Sequence, residues 1–179
     1  VAVALFAAAP VHAAQTLLPM SPIGKVWIKQ VPFFQAISLS IRKEPFAAMD
    51  ESNLKLSRFV AMQRFEQIRP LALEISGLEW EPGSPEPVAF FMPLPSTDRV
   101  LVPSDEAMNL MEYTSGKVAS ISFRGPYDYA TVQPFLRQMQ AWLKDTETIT
   151  AGKPRILFYH HRAFRPDMFK CIEIQVPVR

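Results

Sequence analysis

The stretch Cys171-Ile172-Glu173-Ile174-Gln175-Val176 places one carboxylate inside an alternating apolar run. In a strand, Ile172, Ile174 and Val176 share one face, and Cys171, Glu173 and Gln175 share the other. A carboxylate on a sheltered face attracts a cation or, once desolvated, rises in pKa and serves as an acid or base. On an open edge strand it is a solvated side chain. His160 and His161 invite a metal or haem reading, but adjacent strand residues point to opposite faces and do not readily hold one ion together. At most one of them is an axial haem ligand; otherwise the pair ends a strand at the surface. Arg162, Arg165 and Lys170 suit carboxylates or phosphates, or form a solvated loop. Trp27, Phe33, Phe34, Phe90, Phe91, Tyr113, Tyr127, Tyr129 and Tyr159 supply stacking surface for a flat ligand, several of them as ordinary core.

Covalent catalysis finds little support in the sequence. Cys171 has no His beside it, and Ser120 and Ser122 lie in a strand-like stretch without an elbow motif. There is no P-loop, GxGxxG or HExxH pattern. Asp128, between Tyr127 and Tyr129, suits a turn or helix cap.

The 179 residues are 49% hydrophobic and 20% charged, which excludes a disordered, collagen-like or coiled-coil chain. A net charge of +2 is too small for a nucleic-acid binder by charge alone, so no nucleic-acid partner is expected. One Cys and three His exclude a disulfide framework and a Cys-rich zinc site, and no metal is expected. Seventeen Pro against six Gly point to stiff turns and edge strands rather than phosphate-cradling loops. The charge is uneven: residues 1–112 carry 9 basic and 12 acidic side chains, residues 113–179 carry 10 and 5. The C-terminal half thus has room for an anionic ligand or partner, or simply a solvated basic surface.

Residues 1–11 (VAVALFAAAPV) are apolar and uncharged, and VHA-AQ follows. Small side chains at Val11 and Ala13 fit a signal-peptidase site with cleavage after Ala13. The run is shorter than the ~20 apolar residues that span a bilayer. Residues 1–13 therefore read as a signal peptide truncated at its start, residues 14–24 as a linker, and the protein as exported, most naturally periplasmic. The alternative is a retained N-terminal segment that packs on a protein partner or holds the chain near a membrane.

The elements that must position these side chains follow from periodicity. Residues 26–41 are rich in β-branched and aromatic residues, alternate over Ala36 to Ile41, and bend at Pro32. Residues 43–53 read as a loop. Leu56, Phe59 and Val60, then Phe65, Ile68, Leu71, Ala72 and Ile75, recur at helical spacing up to Gly77, with a break at Pro70 and a second helical segment from about Gln67. Strands are expected over 88–92, 108–113 and 118–123. A helix follows residues 124–129, with Val132, Phe135, Leu136, Met139, Trp142 and Leu143 on its apolar face and Pro134 in its first turn. Two more strands, 156–160 and 171–176, close the chain. Each half reads strand, helix, strand, strand. The economical packing is one α+β domain over 25–179: duplicated β-α-β-β units, about 25–107 and 108–179, forming an antiparallel sheet with two main helices on one face.

Gly116-Lys117-Val118-Ala119, Phe123-Arg124-Gly125-Pro126-Tyr127, the helix ending Gln140-Ala141-Trp142-Leu143 and the final Glu173-Ile174-Gln175-Val176-Pro177-Val178 together resemble the GyrI-like effector-binding domains. Those are grouped with the SOUL haem-binding proteins in one superfamily. The resemblance is good over about 108–179 and extends to 26–92 through the duplicated unit. It implies a cleft between the repeats, on the sheet side away from the helices, that holds hydrophobic, often aromatic or cationic small molecules or docks a protein. It places Glu173 in that cleft as the acidic residue that meets a cationic ligand. Trp27, Phe90, Tyr113, Tyr127 and Tyr159 are the aromatic candidates around it. Non-enzymatic binding of such a molecule is the first expectation. The alternatives are haem or tetrapyrrole binding with His160 or His161 as ligand, a hydrolase with Glu173 as general base, and an interaction subunit of a larger assembly.

Overall fold

Pro32 splits the first β-branched run into two strands, and this break sets the topology. The computed structural model describes residues 20–65, 70–95, 101–103, 105–159 and 166–179. It contains β1 (Val26–Val31), β2 (Phe34–Ile41), α1 (Pro45–Met62), β3 (Leu71–Glu74), β4 (Val88–Leu94), β5 (Met108–Tyr113), β6 (Gly116–Arg124), α2 (Tyr129–Asp145), β7 (Arg155–Phe158) and β8 (Cys171–Val178). The strands form one antiparallel sheet in the order β1-β6-β8-β7-β3-β4-β2-β5. The order is the same read from either edge: a first strand, then the second, fourth and third strands of one repeat. The first strands are exchanged, so β1 pairs with β6 and β5 pairs with β2. Because Pro32 and Phe33 interrupt the ladder, β1 leaves β2 and crosses to the other half.

Both helices cover one face. The loop expected over 43–53 is instead the start of α1: the Glu44 carboxylate accepts from Phe46 N and Ala47 N, and Pro45 holds the first helical position. Pro45, Ala48, Met49, Ser52, Leu56, Phe59 and Val60 are its buried residues. In α2, Val132, Leu136, Met139 and Leu143 are buried, and Asp128 caps the helix by accepting from Thr131 N at 2.7 Å. Pro134 is the sixth helical residue rather than part of the first turn. The turn before α2 requires a glycine: Gly125 has φ +154°, and a Cβ there would meet Thr131 Cγ2 at 2.7 Å. These helices and the inward strand faces form one apolar core containing Ile37, Leu73, Phe90, Ile121, Ile156, Ile172 and Ile174.

One expected element changes type. The helical segment from about Gln67 to Gly77 is, in its described part, the strand β3, held between β4 and β7. Leu71, Ala72 and Leu73 are buried on both faces of the sheet, and a strand buried on both sides reads as a continuous apolar run. Pro70 therefore precedes a strand, whereas Pro134 lies in a helix. Among the described residues, no helix is long and apolar enough to cross a membrane.

Candidate functional site

Glu173 lies at the middle of β8 on the face away from α1 and α2, helix-free among the described residues, and is fully buried. The register brings Ser122 of β6 opposite it on one side and Leu157 of β7 on the other. Its Oε1 accepts from Lys29 Nζ, Ser120 Oγ and, at 2.8 Å, Gln175 Nε2. Its Oε2 accepts from Tyr159 Oη at 2.8 Å, the backbone N–H of Ser21 at 3.0 Å and Ser122 Oγ at 3.3 Å. Six donors on two oxygens satisfy an ionised carboxylate about as fully as geometry permits. The pairing of β1 with β6 supplies Lys29, which sits opposite Val118 on the same face. Burial draws the Lys29 ammonium below its ordinary pKa, against the opposing pull of Glu173. Burial, reinforced by Glu173, pushes the Tyr159 phenol well above its ordinary value. Residues 21–24 fold back over this side: Gly24 N donates to Ser122 O, and the Ser21 and Ser120 hydroxyls are 2.8 Å apart.

The polar row continues through Gln175, whose Oε1 accepts from Arg155 Nε at 2.8 Å. Arg155, at the start of β7, is only 4% exposed. Its guanidinium carbon lies 5.5 Å and 5.6 Å from the Phe34 and Tyr113 ring centroids. Beyond it this side of the sheet turns aromatic: half-buried Tyr113 stacks on the buried Phe34 and Phe91, with centroids 4.7 Å and 4.8 Å apart. Tyr113 Oη donates to Glu74 at 3.1 Å, and burial followed by that carboxylate raises the phenol's pKa. Glu74 also pairs with Lys153 at 3.7 Å. The helix-free face thus joins a buried polar half to a stacked aromatic half.

A family model described as a GyrI-like small molecule binding domain matches residues 86–179, just over half of the chain. The chain belongs to this family. No curated protein sequence matches it. Solved structures with the same fold include the C-terminal domain of EcmrR (TM-score 0.67, 15% identity, covering 87% of this chain and 97% of that one). A hydrolase from Listeria innocua follows (TM-score 0.62, 13%, 89% and 94%). SAV2435, solved bound to tetraphenylphosphonium, is also similar (TM-score 0.57, 10%, 87% and 94%). At these identities the likeness is one of fold.

On this GyrI-like sheet the expected site residues separate by strand parity. Glu173, Trp27, Tyr113 and Tyr159 share the helix-free face, with Trp27 half exposed beside Ser120. Phe90 and Tyr127 do not join them. Phe90 alternates with Phe91 and is core beneath the helices; Tyr127 packs on that same core, edge-on to Phe158 at 4.9 Å. His160 and His161 lie outside the described residues. Lys29, Arg155, Gln175, Ser120, Ser122 and Glu74 complete the GyrI-like face without having been singled out as site residues. The available signal was a charge inside an apolar strand: Lys29 in VWIKQV and Arg155 in RILF each need a buried partner.

Proposed function

We propose that the protein binds flat aromatic small molecules, without chemical turnover, on the helix-free face between its two repeats. The observation that carries this reading is the row of half-buried Lys29 and buried Glu173, Gln175 and Arg155, which runs up to the half-buried Tyr113 ring stacked on Phe34 and Phe91. An apolar, aromatic wall with a few convergent polar groups is how proteins recognise such ligands. The tetraphenylphosphonium complex of SAV2435 supports an aromatic occupant for this fold. Binding is favoured over hydrolysis because both oxygens of Glu173 are taken up by donors, whereas a general base needs a lone pair for its substrate's proton.

The test is a titration with the neutral fluorescent probe N-phenyl-1-naphthylamine. Saturable micromolar binding is expected, weakened about 3- to 10-fold by Tyr113→Ala and by Tyr113→Leu through lost ring contact. Absence of saturation, or indifference to both changes, overturns the reading. Ester turnover that Glu173→Gln abolishes would establish the hydrolase instead. Export stands as a proposal beside this one: the leader, outside the described residues, is removed after Ala13. N-terminal sequencing of envelope-derived protein should begin at Ala14, and an intact leader would refute it.

A further inference from the structure

Arg155 is the one strongly basic group of the cleft face whose charge outruns its partners among the described residues. Its Nε is committed to Gln175. Its two terminal nitrogens make no hydrogen bond or ion pair with any described residue, and the nearby rings of Phe34 and Tyr113 offer π density rather than lone pairs. No fully buried side-chain polar atom of the described residues lacks a partner, so the 4% of Arg155 that is accessible includes those terminal nitrogens. The carboxylates that could have met them are occupied. Glu173 is filled by its six donors, and Glu74 accepts from Tyr113 and pairs with Lys153. Among the described residues here, Lys29 is paired with Glu173 and Lys153 with Glu74, and Arg155 has no ion pair of its own. A buried guanidinium with an uncommitted fork is costly unless something accepts from it.

We propose that this face selects aromatic acids, with the ligand's carboxylate received by the terminal nitrogens of Arg155 and its ring laid on the half-buried Tyr113, which Phe34 and Phe91 back from within the core. This deepens the small-molecule reading and rests on it. A lipophilic cation is disfavoured here for the same reason. The carboxylate that would attract it is matched by the chain's own Lys29, and Arg155 repels a positive charge at the aromatic end. The planar fork of Arg155 suits a carboxylate in a two-point contact, which an ammonium at the same place does not reproduce.

Three probes of comparable ring character separate the outcomes: 1-naphthoate, its neutral amide 1-naphthamide, and tetraphenylphosphonium, each titrated calorimetrically at low salt. The wild type is expected to bind the acid at least 10-fold more tightly than the amide. Arg155→Gln should lose 10- to 100-fold for the acid, the range for a charged hydrogen bond, and change less than about 3-fold for the amide. Arg155→Lys, which keeps the charge without the fork, should fall between the two. If Arg155→Gln does not fold, the wild-type ratio and its reduction in Arg155→Lys decide the matter. Equal binding of acid and amide by the wild type, an acid preference that survives in the variants, or tetraphenylphosphonium as the tightest probe overturns the inference and leaves the aromatic-binding reading standing. Failure of all three probes to bind overturns both.

Discussion

The strands β4 and β8 hold the same place in their halves of the sheet, yet they present opposite chemistry on the face away from α1 and α2. Between β6 and β7, β8 offers Glu173 and Gln175; between β2 and β3, β4 offers Ala89 and Phe91. The helix-facing sides of the same strands are alike, with Phe90 and Met92 in one and Ile172 and Ile174 in the other, all in a single apolar core. A duplicated scaffold needs both helix faces for stability, so they stay apolar. The other face is free to differ, and it has become polar in one half and aromatic in the other. Arg155 lies at the seam, on β7 next to β3, linked to Gln175 on one side and against Phe34 and Tyr113 on the other.

The strongest way to break this comparison is to exchange the two chemistries. Phe91→Glu removes the ring stacked on Tyr113 and puts a carboxylate between Ser38 and Ala72, and Glu173→Phe takes the carboxylate away from Lys29, Tyr159, Gln175, Ser21, Ser120 and Ser122. Each should cost about 3–5 kcal/mol in a denaturant melt, the first through the loss of a buried aromatic ring and the second through a broken buried ion pair. A cost below about 1 kcal/mol for either would show that water reaches that half freely.

A second test sharpens the likeness of the covered faces. Leu56 of α1 and Leu136 of α2 are both buried to within 1%. Leu56→Ala and Leu136→Ala should each lose about 2–5 kcal/mol, and the two losses should be similar. A much smaller loss at one helix would mean that the halves differ on the core side as well.

The smallest effect is a pH dependence shared by the two halves. Tyr113 in the aromatic half and Tyr159 in the polar half both have their phenol pKa raised, by burial first and then by Glu74 and Glu173 respectively. A folded-state pKa above the unfolded value means the native state keeps its proton while the unfolded chain releases it. That stability is fully present below the ordinary phenol pKa and is lost as pH rises beyond it. The expected loss is about 0.4 kcal/mol per phenol at pH 10, where half of the unfolded phenols have ionised. Tyr113→Phe and Tyr159→Phe should each flatten the alkaline decline of the melting midpoint between pH 9 and 11. An unchanged slope in both variants would contradict the burial of these hydroxyls.

Much of this was legible from local pattern. Strand alternation is a property of the backbone, so Glu173 and Ile174 were bound to face opposite ways once the stretch was a strand. The apolar stripe from Val132 to Leu143 likewise required a covered helix face, and Asp128 was readable as its cap. The acid, basic and aromatic residue types set what chemistry the chain could attempt. What tertiary structure alone decided is which groups meet. Leu71 to Glu74 became a strand because β4 and β7 pair with it on both sides, a circumstance that no helical or strand period in three apolar residues and a glutamate can report. Lys29 reaches Glu173 across 144 residues only because β1 crosses to pair with β6 in the other repeat. That pairing turns an acidic residue suited to attract a cation into one already matched by the chain itself, and it shifts the unmet charge to Arg155. Side-chain direction is set by the neighbouring residue and can be read along the chain, whereas charge balance depends on long-range strand order and cannot.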